Sequence, residues 1–224
     1  MKQIKFYVLL LTFIFPFKSF CQSANSTTDI PDIKDKPIFI ENTLLIGFRA
    51  GAGISKQTTG YFNEGNLIPK FSYHFAVELT YFFHKNIGIQ IDLGNQYFKT
   101  RNEDQNSTNF NDFSIQYLFV AINPVFNFKH FCFNFGVYFA IPVKANYEGN
   151  LGISNDLEYY TIPDFGYQIG ILYLFDISSK GAVTKKYVLF IGVEIKGQFS
   201  EFLVSKMSGK TFAVYFDVGI KFSI

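Results

Sequence analysis

"FSYHFAVELTYFFHKNIGIQIDLGNQYFKT", residues 71–100, repeats with a period of two. Phe71, Tyr73, Phe75, Val77, Leu79 and Tyr81 occupy one parity, while His74, Glu78, Gln90 and Asp92 fall on the other. Successive side chains of a strand point to opposite faces, so this alternation describes strands with one apolar and one polar face. His84-Lys85-Asn86 interrupts the pattern and makes the segment a hairpin.

The same period recurs over eight runs, at about 43–53, 71–82, 87–98, 113–127, 131–143, 165–175, 187–198 and 211–223. Long polar connections at about 54–70, 100–112, 144–164 and 199–210 take turns with short ones at residues 84–86 and Lys129-His130; 176–186 is longer than its class. Thirty Phe and fourteen Tyr make the chain 20% aromatic, against 17% charged, which suits pleated strands better than helices. A net charge of +2 supplies no basic footprint for nucleic acid. The fold class expected is all-β.

The N-terminus has the order of a secretory signal: Lys2 and Lys5, an apolar run from Phe6 to Phe15, Pro16, then Ser19-Phe20-Cys21. Cleavage before Gln22 makes residues 1–21 the signal, 22–41 a flexible periplasmic leader rich in Ser, Thr, Asp and Pro, and 42–224 the folded domain. A lipidated Cys21 is the rival reading, with Phe20 standing where a small residue is wanted. Cys132 is then alone and reads as a packed interior residue. After the signal no apolar run reaches the ~18 residues of a membrane helix.

Two architectures share this alternation. A secreted soluble barrel turns its apolar face inward to a ligand cavity, and a membrane barrel turns it outward to lipid. The greasy, aromatic face and the small residues opposite it favour lipid outside and a narrow interior, and closure satisfies every backbone group without water. The expectation is an eight-stranded antiparallel up-and-down transmembrane β-barrel with a filled interior. Its termini and tight turns would be periplasmic, in the outer membrane of a Gram-negative bacterium.

"LLIGFRAGAGIS", "FAVELTYFFHKNIGIQIDLGNQYFKT", "FSIQYLFVAINPVFNF" with "FCFNFGVYFAIPVKA", and "DFGYQIGILY" resemble the Bacteroidota outer-membrane β-barrel domain family, the broad group that contains PorT-like proteins. The resemblance spans about residues 43–224. It implies outer-membrane insertion by the barrel assembly machinery and, in its PorT-like form, a component of a secretion apparatus. The end of the chain departs from the pattern, because Phe222 is followed by Ser223 and Ile224 where such barrels often finish on an aromatic residue.

With this parity Arg49, Glu78, Asp92, Glu194, Lys196, Asp217 and Lys221 point inward, five of them at similar height. Unpaired charge in a narrow interior is costly, so a salt-bridge cluster around Arg49 is expected, acting as a structural plug or as an ion gate. Ser72, His74 and Glu78 share that face, but ~7 Å steps between alternate residues on one strand are poor for a hydrolytic relay. His84 and His130 sit in separate turns and read as surface histidines. No phosphate loop, zinc-ligand pair or metalloprotease motif is present, so no catalytic residue, metal or cofactor is expected. In the long connections Tyr61, Phe62, Tyr147, Tyr159 and Tyr160 lie among acids and are candidates for protein recognition. The functional expectation is a non-enzymatic anchor or interaction module that contacts outer-membrane lipid and a protein partner through its loops or leader. A small porin-like channel and a lipid-active enzyme are the alternatives.

Overall fold

The structure is a computed structural model that describes residues 42–57, 65–104, 110–149, 152–154, 163–178, 186–199, 202–204 and 207–224. Among the described residues eleven strands follow in chain order: β1 (Thr43–Gln57), β2 (Gly65–His84), β3 (Ile87–Asp104), β4 (Phe110–Phe128), β5 (Phe131–Gly149), β6 (Gly152–Ser154), β7 (Asp164–Asp176), β8 (Tyr187–Gln198), β9 (Phe202–Val204), β10 (Met207–Gly209) and β11 (Thr211–Ser223). Every pairing is antiparallel, in the order β4-β3-β2-β1-β11-β8-β7-β5 with β4 also paired to β5. The sheet therefore closes on itself as an eight-stranded barrel. Short β6 extends the edge of β5, and β9 pairs with β10.

Each expected run lies inside one of the eight barrel strands, but the long connections are shorter than their composition predicts. β1 runs on to Gln57 and β2 already starts at Gly65, inside the expected loop 54–70. β3 and β4 likewise enter 100–112, β5 and β6 enter 144–164, and β9 and β10 lie within 199–210. Backbone pairs such as Pro69↔Thr100 and Gly65↔Asp104 need no apolar face, so the ladder continues past the point where hydrophobic alternation stops. Strands β2 to β5 are 18 to 20 residues long, well beyond the ~10 that cross a bilayer, and overhang on the long-loop side. At the opposite end the two-residue turn Lys129-His130 starts with a left-handed Lys129 (φ 54°), the conformation a tight hairpin requires.

Burial decides which face is inside. Phe71 is 62% exposed, Leu93 and Phe216 are 59%, whereas Glu78, Asp92 and Glu194 are wholly inaccessible. A soluble barrel has the opposite polarity. The inward face is not only small residues and charges, as the sequence pattern suggests. Phe82, Phe98, Tyr117, Phe119, Tyr138, Phe190 and Tyr215 also point in. They form two apolar clusters, one near the tight turns around Leu45, Phe82, Leu172 and Phe190, the other toward the long loops around Phe98, Tyr117, Phe119 and Tyr215. Glycines make room for these rings: a Cβ on Gly94 would stand 2.7 Å from Phe119, and one on Gly219 would stand 2.3 Å from Phe190.

Candidate functional site

Between the apolar clusters lies a belt of ionisable side chains centred on Arg49 of β1. Its Nε lies 2.9 Å from Glu78 on β2, Nη2 donates to Asp92 on β3 at 2.7 Å, Nη1 donates to Glu194 on β8, and Asp217 on β11 stands 3.7 Å away. One planar guanidinium thus holds carboxylates from four strands, a task its fork of donors suits and a lysine's point charge does not. Lys221 Nζ lies 2.9 Å from Glu78, donates to Gln90 at 2.6 Å and faces the Phe190 ring. Lys196 Nζ stands 3.3 Å from Glu194 and 3.8 Å over the centre of Phe119. All seven charges expected to point inward lie in this belt.

The belt also holds residues not singled out as charge-network members. Asp92 accepts from Gln90 at 2.7 Å and from Asn123 and Gln168 at 2.9 Å each. His74 Nε2 lies 2.7 Å from Asp217, and its Nδ1 lies 3.4 Å from Lys196 Nζ. A proton on Nε2 satisfies both contacts, since Nδ1 then accepts from the ammonium. Parity already sets Gln90 on the polar face and does the same for Asn123 and Gln168, because each lies an even number of residues from an inward neighbour on its strand. Two glycines of β1 clear the space: a Cβ on Gly51 would meet His74 at 2.0 Å and Asp217 at 2.2 Å, and one on Gly47 would stand 2.9 Å from Lys221.

Four carboxylates and three cationic side chains meet here out of reach of solvent. Desolvation consumes most of the Coulombic gain in such a cluster, so its presence is weak evidence of net stabilisation. His74, Glu194 and Asp217 have the spacing of a metal site, with ligand atoms within 4.8 Å of one another. Arg49 and Lys196 already engage these acceptors and would repel a metal cation. The Ser72-His74-Glu78 set forms no relay, since the histidine nitrogens face β11 and β8 instead. His84 accepts from Asn86 N within its turn at 3.4 Å, and His130 stacks on Tyr173. Of the loop candidates, Tyr61, Phe62, Tyr159 and Tyr160 lie outside the described residues, as does the side chain of Tyr147.

A second, smaller ion cluster lies on the overhang, beyond the apolar band. Asp112 accepts from Arg101 Nε at 2.6 Å and Nη2 at 3.0 Å, with Lys99 Nζ at 3.0 Å. The Arg101 hydrogen bonds, helped by Lys99, hold the Asp112 carboxyl below its ordinary value against partial desolvation. A depressed carboxyl stabilises the fold fully above its unfolded value of about 3.9, and that contribution is lost as pH falls through the lower folded value. The protection factors of amides at the outer ends of β3 and β4 should therefore fall on acidification through that window in the wild type and stay level there in Asp112→Asn. Equal acid response in both would remove the carboxylate from the explanation.

Fold and belt together define a closed eight-stranded transmembrane-type β-barrel, apolar outside and with ionisable side chains at the centre of its interior. Solved structures with similarity to it include Ail, the attachment invasion locus protein of Yersinia pestis (15% identity, 80% of this chain and 99% of that one, TM-score 0.37 to 0.38 in two structures with 14 to 15% identity). Neisserial surface protein A gives 13% identity over 79% of this chain and 95% of its own, with TM-score 0.42. The outer membrane protein AlkL, solved in lipid bilayers, gives 10% identity over 89% and 96%, with TM-score 0.43. No protein-family model and no curated protein sequence matches the chain.

Proposed function

We propose that this chain is a non-enzymatic outer-membrane barrel of a Gram-negative bacterium, with its interior sealed by the charge belt, that anchors an interaction surface made of its long loops and leader. The observation that carries the reading is the polarity: aromatic and aliphatic side chains are half exposed around the whole wall while seven charges are buried within it. Lipid is the solvent that makes such a wall stable. The layer of charged-type side chains between two apolar clusters supports an anchor over a channel. The tight turns and both termini then face the periplasm, the long overhangs face outward, and insertion is the work of the barrel assembly machinery. Resemblance of the strand sequences to Bacteroidota outer-membrane barrel domains supports a finer form, in which the anchor serves a secretion apparatus through a protein partner.

Planar-bilayer recording tests the sealed interior. Wild-type protein should give no steady conductance, and Arg49→Ala, where it inserts, should give brief or unstable openings. Steady single-channel steps from wild type would turn the reading to a small channel. Heat-modifiable gel mobility with protease protection in vesicles tests the membrane location. A partner co-purifying with the barrel after crosslinking in the native membrane would support the apparatus form.

A further inference from the structure

We propose that the outer wall of the barrel binds one phosphorylated glycolipid of the outer leaflet, with an acyl chain in an apolar groove that ends at Asn95 and the head group in a polar recess beside it. This rests on the membrane reading above. The groove has a volume of about 610 Å³ and is lined by Phe48, Ala50, Phe75, Leu93, Leu189 and Val218, among others. Ala50 opens it. On the outward face of β1 this small side chain stands opposite Phe75 on one side and Val218 on the other, where a larger residue would fill the wall.

The groove is inclined. Its floor follows the register Leu189↔Ile220↔Phe48↔Val77↔Leu93, from the third residue of β8 to the seventh of β3 counted from the tight-turn end. It therefore climbs toward the long loops across four strand spacings, roughly 19 Å, the span of a long acyl chain. At its upper end Asn95 accepts from Gln116 Nε2 at 3.0 Å. Gln116 also lines the second recess, of about 400 Å³, with Tyr73, Tyr97, Ser114, Lys144 and Asn146. One hydrogen bond thus joins an apolar groove below to a polar recess above, an amphipathic shape that matches a lipid.

The recess is polar on the face where β7 and β11 carry Phe165 and Phe212 at their loop ends. At this edge of the apolar band the polar groups stand level with the head group of a lipid. A register shift between β4 and β5 sets Gln116 opposite Lys144 but Tyr117 opposite Pro142. The extra residue turns both Val143 and Lys144 outward, so the bulge aims the ammonium at the recess rim. Lys99 and Arg101 share Asp112, and Glu148 stands opposite Asp112 on β5. Lys144 has no acidic partner among the described residues and is the cation left for a phosphate. The stacked Tyr73 and Tyr97 rings, 5.1 Å apart, with a hydroxyl and two amides alongside, suit a sugar ring better than the small head of a phospholipid.

The test is native mass spectrometry of the full chain folded in lipid-free mild detergent and titrated with diphosphoryl lipid A. Wild type should bind one molecule. Lys144→Glu and Ala50→Phe, which reverse the charge and fill the groove, should each weaken binding by about tenfold or more, the loss of one charge-assisted contact or its equivalent. Lys56→Glu, outward on β1 away from both recesses, should bind as wild type. Equal binding by all variants overturns the site, and so does displacement by phosphatidylglycerol or inorganic phosphate at equal concentration. Heat-modifiable mobility is read on every sample. A compact barrel that binds no glycolipid sinks only this site, whereas a chain that stays soluble without detergent sinks the membrane reading with it.

Discussion

Arg49→Ala is expected to lower the unfolding free energy of the barrel by about 3–5 kcal/mol, the usual cost of removing one partner from a buried ion cluster. The cause is arithmetic and geometry together. Four carboxylates, Glu78, Asp92, Glu194 and Asp217, would be left with the cations Lys196 and Lys221, and among the described residues no other donor fork reaches all four strands. Arg49→Lys should recover less than half of the loss, because the three donors of an ammonium radiate from one compact nitrogen and cannot span four strands as the guanidinium fork does. The triple variant Arg49→Ala/Asp92→Asn/Glu194→Gln should be more stable than Arg49→Ala alone, since it neutralises two of the orphaned acids. Urea unfolding in lipid vesicles followed by gel mobility gives the measurement. A loss under about 1 kcal/mol, with no gain in the triple variant, would mean that water reaches the belt and screens it.

The second large effect lies on the opposite face. Ile171, midway along β7 and 50% exposed, should face the hydrocarbon centre, and Ile171→Arg should cost about 2–4 kcal/mol of stability in vesicles and slow insertion. The same change near the end of the strand, at Phe175, should cost about 0–1 kcal/mol, because an arginine there reaches the interface. In water alone such a substitution on an exposed position would be harmless or solubilising. An unchanged vesicle stability for Ile171→Arg would therefore contradict lipid as the outer solvent, whatever the barrel's shape.

These two expectations show how much of the molecule can be read along the chain. The period of two in residues 71–100 assigns every side chain to one of two faces, and it holds because strand geometry allows no other outcome. Arg49, Glu78 and Asp92 thus share a face by parity, as do Asp217 and Lys221, before any contact is known. The turns at 85–86 and 129–130 are likewise local, written in short polar breaks between apolar runs. Parity also gives the other content of that same face. Phe119, Tyr138 and Phe190 point inward beside the charges, and a rule that equates aromatic with outward misses them because it ranks residues by type where position decides.

By itself the sequence determined the strands, their order in the chain and the sorting of side chains into two sets, since these depend on backbone geometry over a few residues. Which set is inside was decided by closure: only when β11 pairs with β1, more than 150 residues apart in sequence, does one face become an interior. The belt depends on the same event. Arg49 meets Glu194 from 145 residues away, in a register fixed by the ladders on both sides and by the space left at Gly47 and Gly51. The length of the overhanging strands was also a tertiary matter, because backbone hydrogen bonds to a neighbour extend a ladder without leaving any mark in hydropathy.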